Sequence, residues 1–435
     1  MAELSYVRTE ILPEQAAPPT EVGLLGWLRE NLFSGPFNTI LTLLALAFVY
    51  LILSIILPWL ISPTWDAMSL NECREILADM GREGHFGGAC WGVIRDRWVQ
   101  LIFGFYPDYL YWRPIAAFVL LGVALAPVLF AEYVPKNMIR LSALYPFFMP
   151  WLLWGGSIWT PLMVLAGLAI GYGVHKGIAA AYSALLAGIV ATLAAVVWWL
   201  FLVGPVSGGI QSIIPLGLEL VTSRNFGGFM LSLTIGITAI AVSLPLGILL
   251  ALGRRSDLLI VKGLCVGFIE FIRGVPLITL LFVASTLLNI FLPPGTDFDI
   301  ILRVIIMATL FSSAYIAEVV RGGLAALPLG QYEGADSLGL DYWQAQRLVI
   351  MPQALKISIP GIVSTFIGLF KDTTLVSIIG LLDPLGLSNA IRADSDWNGI
   401  VWELYGFIAL MFWIFCFSMS RYSMWLERKL ETGHH

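Results

Sequence analysis

Long apolar stretches recur along the chain, set apart by polar connectors rather than alternating at the two-residue period of a strand. A bilayer core needs about 20 apolar residues in helical form, so this pattern predicts membrane-spanning helices. The first candidate, 37–61, holds no charged residue. Four more follow at about 114–131, 141–155, 159–174 and 181–203, of which 141–155 and 159–174 are short enough to form a tilted hairpin. A second group lies at about 228–252, 262–291, 301–323, 357–380 and 402–424, giving about ten spans in all.

Polar stretches divide the chain further. Residues 1–36 contain Pro13, Pro18 and Pro19 and are too charged for a cleavable signal peptide, so they read as a cytoplasmic arm. A polar insert at 62–113 interrupts the N-terminal group, 37–203. A linker punctuated by Gly and Pro, 204–227, separates that group from a core at 228–424. The core carries a polar loop at 324–356, and 425–435 form a tail.

Composition turns the pattern into a class. Hydrophobic residues make up 58% of the 435 and charged ones 12%, about half the roughly 25% of a soluble domain. Such a chain cannot cover its core with a polar skin, so it reads as an all-α integral membrane protein. The net charge of −5 argues against nucleic-acid binding, which favours a clustered basic face. The four cysteines lack the spacing of a zinc site, and no other metal site is expected. His434 and His435 read as the remnant of a purification tag. Only His85 and His175 remain, too few for chemistry built on histidine pairs. No phosphate-cradling Gly-x4-Gly-Lys-Ser/Thr segment occurs, so ATP is not expected to bind this chain in that way.

Basic residues in short loops set the orientation. Lys136, Arg140, Arg254, Arg255, Lys262, Arg347 and Lys356 fall on one side if every segment spans. Taken as the cytoplasm, that side also receives both termini. The opposite loops hold Asp297, Asp299 and a mixed stretch at 383–398. The insert, with its five arginines, is too long for charge counting to decide. Cys73 and Cys90 share it. In an oxidising periplasm they either pair, closing a loop worth about 3 kcal/mol, or remain two thiols in a loose loop. Cys265 and Cys416 lie inside spans as small apolar packers.

The polar loop between the spans at 301–323 and 357–380 reads as helix, tight turn, helix. Gly339 suits the left-handed position that ends a helix. Asp341 caps the next one, with Gln344 completing a capping box, and Pro352 discourages continuation. Leu338, Leu340, Leu348, Val349 and Met351 are apolar on an exposed loop and need cover, as in a docking element.

Glu333, Gly334, Ala335, Gly339, Val349, Met351 and Pro352 stand at the spacing of the EAA motif, Glu-Ala-Ala, three residues, Gly, nine residues, Ile-x-Leu-Pro. Gly replaces the second-position Ala, Val the Ile and Met the Leu. The loop thus resembles that of bacterial ABC importer permeases, in which it holds the coupling helix seated in a cleft of the ATPase. The resemblance implies that Glu333 to Leu340 docks there, with Gly339, Leu340 and Pro352 shaping the element. The alternative is an ordinary amphipathic connector.

The stretch Glu270-Phe271-Ile272-Arg273-Gly274-Val275-Pro276 is similar to the Glu-x-x-Arg-Gly-x-Pro of polar amino acid permeases. Leu280 stands where that subfamily often has Gln. Segments 314–323 and 371–375 match the same subfamily, so the resemblance covers about 228–424. Cys90-Trp91, Phe103-Gly104, Tyr106-Pro107 and Trp112-Arg113 resemble the longer permeases of general L-amino acid and glutamate/glutamine/aspartate/asparagine importers. The implied fold is a type I importer permease core of about five spans behind about five N-terminal ones. A second permease (by this branch, a paralogue), two ATPase subunits using ATP and Mg, and a periplasmic binding protein would complete the machine in the bacterial inner membrane. The chain itself would be no enzyme and hold no cofactor.

Charges inside spans need a partner or a wet cavity. Glu270 and Arg273, one turn apart, can pair just before Pro276 interrupts the helix. They either approach the substrate path or set helix packing. Lys371, Asp372, Thr373 and Thr374 occupy successive faces of one helix, so some must look inward. Lys371 and Asp372 complement the carboxylate and ammonium of an amino acid; alternatively they neutralise charges of this chain or of a partner. Glu318 and Arg321 suit anchoring or gating at the cytoplasmic end. A stand-alone secondary transporter or channel is the competing class, but no paired inverted repeats are evident.

Overall fold

The computed structural model describes residues 23–82, 87–291 and 298–431. The arm at 1–22, His85, Asp297 and the end of the tail, with His434 and His435, lie outside the described residues.

The chain forms two units, Met1–Val93 and Ile94–His435. In the first, α1 (Gly23–Asn31) precedes α2 (Pro36–Leu60). Helix α2 buries none of its residues. A helix apolar on every face is stable where lipid is the solvent, because its backbone is satisfied internally. After it, α3 (Leu70–Asp79) starts at Ser69, whose side chain accepts from the Glu72 N–H. Cys73 and Cys90, both buried, are joined by a disulfide with the Cα atoms 6.0 Å apart. Trp91 stacks on Trp65 at 5.5 Å and lies 6.0 Å from Trp59.

The second unit is led in by α4 (Gly92–Phe103). It continues with α5 (Trp112–Leu129), α6 (Ile139–Trp154), α7 (Trp159–Ala179), α8 (Ala184–Val197) and α9 (Val203–Ile213). Two short strands, β1 (Gly156–Ser157) and β2 (Gly217–Leu218), pair antiparallel. Then come α10 (Gly228–Arg254), α11 (Leu259–Gly274), α12 (Leu277–Phe291) and α13 (Ile300–Ala325). The loop helices α14 (Leu329–Ser337) and α15 (Tyr342–Ala345) lead into α16 (Met351–Asp372), α17 (Pro384–Arg392) and α18 (Trp402–Glu431).

Among the described residues, eight helices are long and apolar enough to cross a membrane, or nine if a bent pair is one span. Ten were expected, and the differences have local causes. Helix α6 carries Pro146 and Pro150 and is only 16 residues long. The segment at 262–291 is α11 and α12, bent by 100° at Val275–Pro276, where proline lacks the donor a helix needs. The start of the expected linker at 204–227 is helical instead. A π turn at Trp198–Leu202 joins α8 to α9 in one apolar run, so the connector begins after Ile213.

The expected span at 357–380 is also redrawn. Helix runs from Tyr342 through Pro352 to Asp372, and a 3-10 segment continues it to Ile379. Pro352 does not stop it. A π turn at Gln346–Ile350 immediately precedes the proline, and such a widened turn accommodates the missing N–H and the ring.

Helices α10, α13 and α16 pack through small residues. A Cβ on Gly247 would stand 2.6 Å from Ile316, and one on Gly323 2.5 Å from the Ala354 carbonyl, so glycine lets the backbones approach. One apolar cluster joins Tyr106, Leu153, Val221 and Phe226 of the N-terminal segment to Met230, Ile301 and Leu369 of the core. A second, with Ala251, Ile316, Leu324, Ile350 and Ala354, fills the end where the loop helices sit.

Candidate functional site

Three groups of sequence-predicted residues lie in the second unit. At the loop end, the turn has the expected chemistry. Gly339 adopts φ +69°, a conformation that costs glycine nothing. Asp341 accepts from the Gln344 N–H at 2.8 Å, while Gln344 accepts from the Asp341 N–H at 3.1 Å. Ala335 is buried, whereas Glu333, Gly334 and Leu338 are exposed and Leu340 is half-buried. Trp343 and Leu348 add apolar surface on the same element.

Three hydrogen bonds hold α14 to the bundle. Gln353 Nε2 donates to Gln331 Oε1 at 2.9 Å. Arg255 Nη1 donates to Tyr332 Oη at 2.9 Å, and that hydroxyl donates to the Leu324 carbonyl at 3.1 Å.

The charges near the ends of α10, α11 and α13 pair differently from expectation. Glu270 and Arg273, one turn apart on α11, do not form the expected pair with each other. Arg254, the last residue of α10, binds Glu270 at 2.9 Å and Glu318 at 2.7 Å. Arg273 reaches Glu318 at 3.6 Å, and Arg321 binds Glu318 at 3.1 Å. Glu318 is the hub because it stands among three guanidinium groups, with its side chain only 16% exposed. Tertiary approach wins here because α10 and α13 bring full charges within hydrogen-bond reach, where such bonds are strongest. The planar face of Arg273 also lies over Tyr315, 5.6 Å from the ring centroid. Arg254 went unrecognised in the sequence because it read as a loop charge. Two carboxylates on neighbouring spans, Glu270 and Glu318, were the available signal for a shared cation.

The polar cluster at 371–374 sits where α16 tightens into its 3-10 continuation. Thr373 is buried and donates to the Phe370 carbonyl at 2.7 Å; Thr374 donates to the Lys371 carbonyl at 2.9 Å. Asp372 and Thr373 border a small void lined otherwise by Ile235, Leu277, Val304 and Leu369. Lys371 is exposed. Leu280 is buried in a cluster with Ile272 and Ala314, so its position serves packing.

A family model described as binding-protein-dependent transport system inner membrane component matches residues 243–432. The chain is 58% identical over 436 residues, covering 100% of both proteins, to the glutamate/glutamine/aspartate/asparagine transport system permease protein BztC of Rhodobacter capsulatus. It is 39% identical over 424 residues, 97% of each, to the inner membrane amino-acid ABC transporter permease protein YhdY of Escherichia coli. A shorter relative, the probable glutamine ABC transporter permease protein GlnM of Bacillus subtilis, is 30% identical over 213 residues, 49% of this chain and 95% of that one.

Proposed function

Because the chain belongs to the amino-acid ABC transporter permeases, we propose that it carries glutamate, glutamine, aspartate and asparagine, or a broader polar set, into the bacterial cell. The observation that carries this substrate class is the 58% identity over the full length to a permease of that name. In this reading the chain moves substrate and leaves hydrolysis of ATP, with Mg, to two partner ATPase subunits. A second permease pairs with it, and a periplasmic binding protein delivers the amino acid. The loop at 324–356 and both termini face the cytoplasm. The basic residues Arg254, Arg255, Lys262, Arg347 and Lys356 at that end support this orientation.

The exposed face of α14 and the following turn, from Glu333 to Leu340, docks the ATPase. Leu338 and Trp343, 76% and 66% exposed, give that face the apolar contact that a partner cleft covers. Closure of the ATPase pair shifts the permeases between inward- and outward-open states by differential binding. In this reading substrate passes Asp372 and Thr373, which border the small, largely apolar void.

Reconstitution tests the reading. Proteoliposomes holding this chain, the second permease and both ATPases should take up the four amino acids only when ATP and binding protein are supplied. Uptake by this chain alone under an ion gradient would establish the secondary-transporter alternative instead.

A further inference from the structure

The two arginines that close α10 are engaged in opposite directions. Arg255 holds Tyr332 of α14 through its Nη1, and its guanidinium lies 5.5 Å from the Tyr332 ring centroid. Arg254 holds Glu270 of α11 and Glu318 of α13. Glu318 in turn holds Arg273, next to the residue that ends α11 at the 100° break. A continuous path of hydrogen bonds and ion pairs therefore runs from α14, through two adjacent residues, to the broken span.

The geometry points to a coupling relay: we propose that Arg254 and Arg255 pass displacement of α14 to the break between α11 and α12. The proposal rests on α14 being the ATPase-docking element. Two features favour transmission over simple packing. First, the link between the arginines is stiff. Arg255 retains helical backbone angles, and its N–H bonds the Leu252 and Gly253 carbonyls, so neither side chain moves its root without the other. Second, the far end offers alternatives. One nitrogen of Arg254 lies 2.7 Å from Glu318 and 2.9 Å from Glu270. Glu318 uses its other oxygen for Arg273 and Arg321.

A small shift of the end of α10 thus redistributes Arg254 between two carboxylates. Each redistribution changes how strongly Glu318 holds Arg273. An element with two discrete arrangements is what physical coupling between distant groups requires. Arg254, Arg255 and Tyr332 are positioning residues in this scheme, since none needs to touch substrate.

The test uses the whole complex in proteoliposomes, with the second permease, both ATPases and the binding protein. Tyr332→Phe removes one hydroxyl; Arg254→Gln and Arg255→Gln remove the charges. ATP hydrolysis, its stimulation by binding protein, and uptake of radiolabelled glutamate, glutamine, aspartate and asparagine are measured together. The ATPase is expected to copurify with each variant, while amino acid carried per ATP falls roughly fivefold or more, the lower range of a coupling between sites. Purely structural damage would lower hydrolysis and uptake together and leave their ratio unchanged. An unchanged ratio in assembled Arg254→Gln and Arg255→Gln complexes overturns the relay. Should those fail to assemble, an unchanged ratio in Tyr332→Phe overturns it equally. Shortening 333–340 tests the docking reading separately: an ATPase that remains bound without that segment defeats the reading, whatever the ratio in the point variants.

Discussion

Arg113 of the N-terminal segment and Arg254 of the core are both arginines at helix termini, and the molecule treats them oppositely. Arg113 is fully buried. Its Nε donates to the Leu152 carbonyl at 2.7 Å, its Nη1 to Glu219 at 2.8 Å and its Nη2 to Leu153 at 3.4 Å. Those carbonyls belong to the C-terminal end of α6 and to the stretch after β2, so the cation meets the negative end of a helix dipole. Gly155 makes room. It has φ +82°, and a Cβ there would stand 2.0 Å from the Glu219 carbonyl. Every acceptor is backbone and none can be exchanged for another. Arg254 instead shares two carboxylates, with its side chain 23% exposed. Saturation by fixed carbonyls makes a weld; competition between charged side chains makes a joint.

The largest expected effect comes from breaking the weld. Arg113→Met leaves the Leu152 and Glu219 carbonyls without their donor in a site that excludes water, while Leu153 keeps the Tyr106 hydroxyl at 2.8 Å. Hydrogen bonds to a charged group contribute about 1.5–3 kcal/mol each, so a loss of about 3 kcal/mol or more is expected. Thermal unfolding in detergent would read it as a large fall in Tm. Arg113→Lys keeps the charge without the planar fork and should fall between the two. A Tm within about 2 °C of wild type for Arg113→Met would show that the extension is held by apolar packing alone.

A smaller effect should appear at Asp383, which caps α17 by accepting from Leu385 and Gly386 N–H groups at 3.1 and 3.0 Å. It is fully buried, and burial pushes its carboxyl up to about 6 from 3.8. The folded state therefore holds a proton that the unfolded chain releases. Stability falls as pH rises between about 4 and 6 and is level above. A shift of about two units corresponds to roughly 3 kcal/mol. Asp383→Asn keeps an acceptor and cannot titrate, so it should raise Tm at pH 7.5 and flatten the profile from pH 4.5 to 7. A wild-type profile already flat over that range would mean that the carboxylate stays ionised in the fold.

How much of this was legible follows from the range of each interaction. The spans were legible because each is a local apolar run, and the loop was legible because Gly339, Asp341 and Gln344 act within four residues. Proline does not stop the helix at 352, where a π turn absorbs it, yet breaks it at 276. The difference lies in the preceding turn, which composition does not reveal. The charge network was read at the wrong range. Spacing along α11 suggested Glu270 with Arg273, but the partners come from α10 and α13, 16 and 45 residues away. Arg113 enters the sequence reading only as part of a family resemblance and Asp383 only as a loop charge, since what satisfies the first is backbone from distant segments and what perturbs the second is a fold-dependent burial.

The smallest effect, and the sharpest test of the contrast, is expected at Glu270. Its side chain is 54% exposed, against 16% for Glu318, and it meets Arg254 at the end of α10 that opens on the connecting loop, so it behaves as a partner open to water whose pair contributes about 0.2–1 kcal/mol. Removing it leaves Arg254 with Glu318 at 2.7 Å, whereas removing Glu318 leaves Arg273 and Arg321 facing Arg254 without their shared carboxylate. Glu270→Gln should therefore cost less than about 1 kcal/mol in the unfolding of the assembled complex. A double-mutant cycle with Arg254→Gln isolates the pair from the rest of the network. If the cycle gives more than about 2 kcal/mol, Glu270 is desolvated by lipid or by a partner. Arg254 would then be fixed as firmly as Arg113, and the joint would be a second weld.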